Sequence, residues 1–471
     1  MFDADLAYHA RQRPRAPALI TPGRRASYAE LDAAVNRFAN GLLGLGVTPE
    51  RGVTAVETGS AYHRHVLLAA LARLGVATTF PDDPAADLRL SDGPGEPDEN
   101  ILRLTDEWIE AVEASPPLPP RPPARSPEGL ARVLRSAGPG AGMRRVPLSW
   151  AMLAAEGRRC IVAYAAGRQG TWVLPAVAEP GRTYLQTALA WSLGAALAVD
   201  FPLADTPALL EREAPGLLVV TPHQLRSLLT VLPSAFRPIP DLRILVTDAG
   251  LPPAVTREAR LRLTPDVQVI YHTPETGLAA SGPASRLENT PGVAGWPVPG
   301  VEIEVVDADG GCVRDGVVGE IRIRSDGTCA GYLGADAAPA DGAFLTGDLG
   351  RRLSDGSLVI AGRLSERMTI GGVVVMPQLL ENAALSHPDV RDAAAFAVPD
   401  AAGRMECWMA IAPAEGLTRE SLIAHLARSP QLLPEVRFAW TDAVPRDAAG
   451  RIEREALRAQ VIAALSQPAG A

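Results

Sequence analysis

The apolar positions near the start of the chain repeat with a helical period. Leu31, Val35, Phe38, Leu42 and Leu45 recur at spacings of four and three, which puts them on one face of a helix. Ser27 followed by Glu30 forms a capping box at its start, and Gly46 supplies a C-terminal stop. A second helix is expected over about Tyr62 to Leu74, closed by Gly75, and the apolar run Val76 to Phe80 reads as a short strand. Helix alternating with strand is the α/β pattern. It continues to about residue 280, with Leu217 to Thr221 and Leu242 to Thr247 as short strands of a mostly parallel sheet. The apolar stretch from Thr187 to Val199 is too short and too alanine-rich to span a bilayer and reads as a buried helix.

Two changes of pattern divide the chain. Residues 115–127, SPPLPPRPPARSP, can be neither helix nor central strand and are expected to form an exposed, semi-rigid connector. From residue 300 the period becomes two: Val301, Ile303 and Val305 point one way, Asp309-Gly310-Gly311 turn the chain, and Ile321 and Ile323 resume the pattern. After Arg363 a smaller unit is expected, with helices near Gln378 to Leu385, Leu417 to Arg428 and Arg454 to Leu465, and strands at Ala393 to Val398 and Val436 to Thr441. The expected fold class is therefore α/β. A large N-terminal domain, residues 1–364, has mixed sheets with helices plus a β-hairpin-rich subdomain, and a small α+β C-terminal domain covers residues 365–471.

Composition narrows the chemistry. The chain has 471 residues and a net charge of −9, which argues against a general binder of nucleic acid or of anionic membranes. All 45 cationic residues are arginine, so no Schiff base, lysine general base or lysine phosphate contact is available. Cys160, Cys312, Cys329 and Cys407 show no paired spacing, which fits a reducing cytoplasm and offers no zinc site. The N-terminal MFDADLAYHARQRPR lacks the apolar run of a signal peptide, and a cytoplasmic location with no membrane insertion is expected.

A series of motifs in order then resembles the adenylate-forming superfamily of acyl-CoA synthetases, stand-alone adenylation domains and luciferases. GEIRIRSDGTCAGYL (319–333) resembles its strand and loop before the ribose site. FLTGDLGRRLSDGSLVIAGR (344–363) resembles its "tGD" aspartate and "GR" arginine. PQLLENAALSHPDVRDAAAFAVPD (377–400) resembles the start of its mobile C-terminal lid. AVPRDAAGRIEREALR (443–458) resembles its terminal loop. The resemblance implies ribose binding by Asp348 and Arg363, a pairing that suits a carboxylate and a guanidinium. Upstream, VQVIYHTPETG (267–277) resembles "Y-G-x-T-E", which implies that Tyr271 stacks on adenine and that Glu275 meets a magnesium ion on the phosphates. Asp248-Ala249-Gly250 falls where a small-residue loop flanks adenine and the acyl pocket. LRSAGPGAGMRRVPLSW aligns with the phosphate loop through Ser136, Gly138, Arg144 and Ser149. Ser365 takes the hinge position and Arg451 the position of the catalytic lysine in the terminal loop.

Several positions depart from the family pattern. His272 stands for glycine and Pro274 for threonine in the "Y-G-x-T-E" motif. Pro139 and Gly140 replace the phosphate-loop hydroxyls, and Arg144 and Arg451 replace lysines. All but His272 bear on phosphate or pyrophosphate. The resemblance implies an AMP-forming ligase that uses ATP and Mg2+ to convert a carboxylic acid to an acyl-adenylate. The acyl group then passes to a thiol, of coenzyme A or of an acyl carrier protein's phosphopantetheine. The alternative is an impaired or inactive relative kept to bind nucleotide, acyl group or carrier protein. Residues between about Tyr184 and Ser281 are expected to line the acid pocket. No counter-ion for an amino-acid ammonium stands at a position that can be assigned, which points to an aryl or acyl acid. Arg404, Arg419, Arg428, Arg437, Arg446 and Arg458 give the small domain an arginine-rich character, suited to an acidic carrier protein or simply to solvent.

Overall fold

A computed structural model describes residues 2–466 apart from 95–97, 122–124, 138–142, 176–179, 214, 248–250, 289, 335–341, 401, 429–433 and 447–451. The first helix expected from the apolar period spans Tyr28–Gly44. Ser27 accepts from the Glu30 N–H, the Glu30 carboxylate accepts from the Ser27 N–H at 2.8 Å, and Gly46 follows with φ 74°. The next helix spans Ala61–Leu74 and ends at Gly75, whose φ is 75°. The strand expected after it is reduced to Thr78–Thr79.

Two large sheets carry the first part of the chain. One has six strands and includes Thr54–Glu57, Thr78–Thr79 and Leu88–Ser91 in parallel, extended by the antiparallel hairpin of Leu130–Ala137 and Met143–Ser149. The other has thirteen strands, with a parallel middle made of Trp172–Leu174, Leu197–Val199, Leu217–Val220, Arg243–Val246 and Asp266–Thr273. These middle strands are apolar on both faces, as a sheet covered on both sides requires. Trp172, Leu174, Leu217 and Val219 join the core that includes helices Tyr28–Gly44, Ala61–Leu74 and Pro180–Ser192 and inward residues of the six-stranded sheet. Val173, Leu218, Val220, Ile244 and Val246 pack on the other side.

The stretch from Thr187 to Val199 corrects the expectation of one buried helix. The helix ends at Ser192, Gly194 turns the chain with φ 69°, and Leu197–Val199 enters the parallel sheet. A doubly buried strand and a buried helix are equally apolar, so composition alone does not separate them. The proline-rich connector begins as expected. Arg37 donates to the Ser115 carbonyl and Asn40 to the Leu118 carbonyl, which lays the chain against the first long helix.

Beyond Asp266–Thr273 the large sheet turns antiparallel through Gly277–Pro283, Val293–Pro297, Leu358–Arg363, Ala343–Arg352, Gly319–Ser325 and Val301–Val306. Ile303 lies opposite Ile323 and Val305 opposite Ile321, the pairing that the period-two pattern anticipated. A separate three-stranded sheet of Val390–Pro399, Met405–Pro413 and Val436–Trp440 follows. Its alternating residues feed two small cores. Ala393 and Ala395 meet helices Pro377–Leu385 and Arg419–Leu426, while Ala394, Phe396 and Val398 meet helix Arg454–Ser466. Among the described residues, neither core draws on the chain before Met368.

Candidate active site

The antiparallel end of the large sheet brings Tyr271, Asp348 and Arg363 together. Asp348 and Arg363 face each other across neighbouring strands, with Arg363 Nε 3.3 Å from Asp348 Oδ1. The Tyr271 hydroxyl donates to Asp348 Oδ2 at 2.7 Å. Each carboxylate oxygen thus has a partner, while the Arg363 side chain is half exposed and borders solvent. Burial pushes the Asp348 carboxyl above the usual range, although Arg363 and the Tyr271 hydrogen bond pull it down. Burial and the charge of Asp348 push the Tyr271 phenol well above its ordinary value, so Tyr271 remains the donor of the pair.

A second group surrounds Glu275 at the turn after Tyr271. Thr273 and Thr276 close this turn, with the Thr276 N–H donating to Thr273 Oγ1 at 3.2 Å and the two hydroxyls 2.9 Å apart. Pro274 and Glu275 form its apex. The buried Glu275 accepts from the Tyr332 hydroxyl at 3.0 Å, and its backbone carbonyl accepts from the Cys329 N–H at 2.7 Å. The Arg144 guanidinium lies over the Tyr332 ring, 4.9 Å from its centre, and a long contact of 3.4 Å reaches the Tyr332 hydroxyl. Burial and the neighbouring Glu275 charge push the Tyr332 phenol up to about 12.

Arg144 stands on the hairpin strand Met143–Ser149, directly opposite Ser136 on Leu130–Ala137. Ser149 caps the helix Trp150–Cys160 by accepting from the Met152 N–H at 3.1 Å. The Leu333 N–H donates to the Arg145 carbonyl at 2.9 Å, which ties the Tyr332 segment to the same hairpin. Ser365 lies exposed in a single 3-10 turn, Leu364–Glu366, just after the Arg363 strand. Gly138, Pro139, Gly140, the segment Asp248 to Gly250, and Arg451 lie outside the described residues.

Sequence reasoning did not single out Tyr332, although it lies in the quoted GTCAGYL run. It also passed over Glu156 and Arg159, which carry no motif. Glu156 is buried on Trp150–Cys160 and accepts from the Leu278 N–H at 2.9 and 3.0 Å and from Arg159 Nη2 at 2.9 Å. His272, at the position of the family glycine, reaches Glu156 with Nε2 at 3.4 Å. Burial pushes the Glu156 carboxyl up, but the contacts from His272 and Arg159 outweigh it and leave it below its usual range. Arg159 also contacts Asp326, in the turn that precedes Tyr332.

A cavity of about 450 Å3 lies elsewhere, lined among others by Thr58, His65, Arg132, Tyr184 and Asp200, and by none of the residues singled out for the nucleotide site. It includes the first residues of the stretch expected to hold the acid. Asp200 is paired there with Arg64 at 2.7 Å, so its charge already has a counter-ion. Among the described residues no cluster of three or more His, Cys, Asp or Glu side chains could hold a metal ion alone. A single carboxylate such as Glu275 nevertheless fits magnesium, which typically takes one or two protein carboxylates together with substrate phosphates and water. No helix among the described residues is long and apolar enough to cross a membrane.

Comparison with known proteins gives the family and the fold. The family model for AMP-binding enzyme matches residues 6–89 and 146–333, more than half of the chain. Novobiocin biosynthesis protein H of Streptomyces niveus is 29% identical, over 98% of this chain and 82% of that protein. The fatty acid–[acyl-carrier-protein] ligase ScoC of Streptomyces coeruleorubidus is 25% identical, over 96% of this chain and 95% of that protein. The crystal structure of ATP-bound MatB from Rhodopseudomonas palustris covers 98% of this chain and 99% of its own, with a TM-score of 0.82 at 20% identity.

Proposed function

The chain belongs to the AMP-binding enzyme family of adenylate-forming ligases, and we propose that it activates an aryl or acyl carboxylic acid with ATP and passes the acyl group to a thiol. The observation that carries this reading is the Tyr271–Asp348–Arg363 group standing one turn from Glu275. In this reading Asp348 accepts hydrogen bonds from the ribose hydroxyls and the half-exposed Arg363 borders the same sugar or its phosphate. Tyr271 orients Asp348 and its ring flanks the base. Glu275 holds the magnesium ion, which supplies charge neutralisation on the phosphates. Tyr332 orients the Glu275 carboxylate, while Arg144 and the hairpin hydroxyl of Ser136 face the phosphate chain, to which the resemblance also assigns Gly138.

Arg451 takes the position from which the terminal loop meets the substrate carboxylate and the α-phosphate. Its contribution is charge and position, without proton transfer. Residues 1–364 form the adenylate-forming core and residues 365–471 the lid, which turns about Ser365 between the two half-reactions. The acceptor thiol belongs to coenzyme A or to an acyl carrier protein, the acceptor type in the printed name of ScoC. The pairing of Asp200 with Arg64 supports an acid without an ammonium group, since that carboxylate is already engaged.

The test is pyrophosphate release with ATP, Mg2+ and a panel of aryl and acyl acids, followed by thioester formation with coenzyme A or a phosphopantetheinylated carrier protein. Release that depends on one class of acid is expected. Clear AMP binding with no pyrophosphate release for any acid would replace this reading with the alternative, a protein kept for binding. The engagement of Arg144 with the Tyr332 ring is the observation that favours the alternative, because the family's lysine at that position is a mobile point charge.

A further inference from the structure

Three segments that carry candidate phosphate-side residues meet at one buried ion pair. The helix Trp150–Cys160 begins directly after the strand that holds Arg144. The turn Thr273–Thr276 presents Glu275, and the turn at Asp326 leads to Tyr332. Glu156 and Arg159, one helical turn apart, touch the other two segments. Both oxygens of Glu156 lie within 3.0 Å of the Leu278 N–H. Arg159 holds Glu156, donates to the Thr276 carbonyl at 3.5 Å and meets Asp326. Both side chains are nine-tenths or more buried.

Glycines stand at the contacts. Gly277 has φ 71°, and a Cβ there would stand 1.7 Å from Glu156 Oε2. A Cβ on Gly327 would stand 2.2 Å from Arg159 Nη2. A Cβ at either position would force the tip of Glu156 or Arg159 to shift, so the two turns lie close against the ion pair. His272 adds a third contact to Glu156 from the strand that also carries Tyr271. The cluster lies behind the turn and touches neither Asp348 nor Arg363.

We propose that Glu156 is a positioning residue that, with Arg159, fixes the Glu275 turn and the Tyr332 segment relative to the Arg144 hairpin. The inference rests on the assignment of Glu275 to the phosphate side of the site. Glu156 touches no substrate atom in this scheme; it acts through the backbone at Leu278 and through Arg159. It follows that its loss impairs magnesium-dependent phosphate binding and spares the ribose side.

The test compares the full-length protein with Glu156→Gln and Gly277→Ala, using two readouts that need no turnover. Glu156→Gln keeps an acceptor for Leu278 and the volume of the side chain but removes the charge that Arg159 and His272 face. Gly277→Ala disturbs the same contact from the other side and guards against a single variant that fails to fold. Hydrogen exchange is expected to rise about tenfold over residues 273–278 in either variant, the effect of weakening one charge-assisted hydrogen bond. Calorimetry is expected to leave AMP affinity within about twofold, while the gain in ATP affinity on adding Mg2+ falls about tenfold. Unchanged exchange together with an unchanged magnesium gain would overturn the proposal. So would an AMP affinity that falls in step with that for magnesium–ATP, since Glu156 would then serve only the general fold. If the unaltered protein shows no magnesium gain at all, the role given to Glu275 fails, and the exchange comparison still decides whether Glu156 holds the turn.

Discussion

The Tyr271 hydroxyl meets Asp348 Oδ2 at 2.7 Å although the two residues are 77 positions apart and three strands of the sheet stand between theirs. The two side chains converge across the antiparallel end of the sheet. The consequence is a carboxylate whose two oxygens are aimed before any ligand arrives. Tyr271→Phe removes one charge-assisted hydrogen bond and is expected to weaken AMP binding about tenfold. Titration calorimetry checks this, and an unchanged affinity would separate Tyr271 from the ribose site.

Asp348 should also set a pH limit on nucleotide binding. Its carboxyl is held above the usual range by burial, so it protonates earlier on acidification than an ordinary aspartate near 3.9. Ribose hydroxyls donate to the ionised form, so AMP affinity should begin to fall at a higher pH than an exposed aspartate would give. Stability has the opposite sign. A carboxyl with a raised folded pKa disfavours the fold when ionised and ceases to do so as pH drops through that value. Asp348→Asn is therefore expected to lose AMP binding and its pH dependence at neutral pH without lowering the melting temperature. A loss of both binding and stability would mean that Arg363 and Tyr271 depend on the Asp348 charge to stay folded.

The phosphate side makes a separable prediction. Tyr332 donates to Glu275 and supports the Arg144 guanidinium. Tyr332→Phe keeps the ring and removes only the hydroxyl, so the Arg144 stacking should persist while Glu275 loses its donor. The expected result is a several-fold weaker affinity for magnesium–ATP, of the order of one hydrogen bond, with AMP affinity unchanged. Equal losses for both nucleotides would show that the Glu275 and Asp348 groups form one unit and not two.

Much of this arrangement was legible along the chain, for physical reasons that differ by residue. The capping box at Ser27 and Glu30 and the Ile303–Ile323 pairing are local or periodic signals, and both are present in the fold. Asp348 and Arg363 are close in sequence and lie opposite each other in one hairpin, so a motif could bring them together. Glu156 was invisible because its role depends on Leu278 and His272, which reach it only through tertiary packing. Thr187 to Val199 misled because a strand buried on both faces is as apolar as a buried helix, and only Gly194 marks the break.

The small C-terminal unit is tied to the core by a second charged node. Asp392 accepts from Arg226, on the helix Pro222–Val231, at 2.9 Å and from Arg446 at 2.9 Å. Arg226 also donates to the Arg391 carbonyl at 2.6 Å. Burial pushes the Asp392 carboxyl up, but Arg226 and Arg446 outweigh it and leave it below the usual range. A carboxyl depressed in the fold stabilises it above its unfolded pKa, near 3.9, and this contribution is lost as pH falls through the folded value. Asp392→Asn is expected to lower the melting temperature at pH 7, with the difference from the unaltered protein shrinking below about pH 4. Faster hydrogen exchange in Val390–Pro399 and Pro222–Val231 should accompany it. A penalty that does not change with pH would mean that Asp392 acts by packing and not by charge.

Arg451 is assigned by resemblance to the position of the family's catalytic lysine, and there the absence of lysine from the whole chain becomes testable. An ammonium is a compact point charge on a flexible stem, whereas a guanidinium is planar, larger and fixed in its donor directions. A site shaped for the first places the second with altered reach, and positioning errors of about 1 Å can cost about a hundredfold in rate. If Arg451 occupies the position of the family's catalytic lysine, Arg451→Lys should raise the rate of pyrophosphate release while leaving AMP affinity unchanged. If the surrounding residues have instead adapted to arginine, the same variant should be slower, and Arg451→Ala slower still. Either change in rate places Arg451 in the adenylation step. Equal rates for arginine, lysine and alanine would remove Arg451 from the chemistry and leave the charge at the α-phosphate to be supplied from elsewhere.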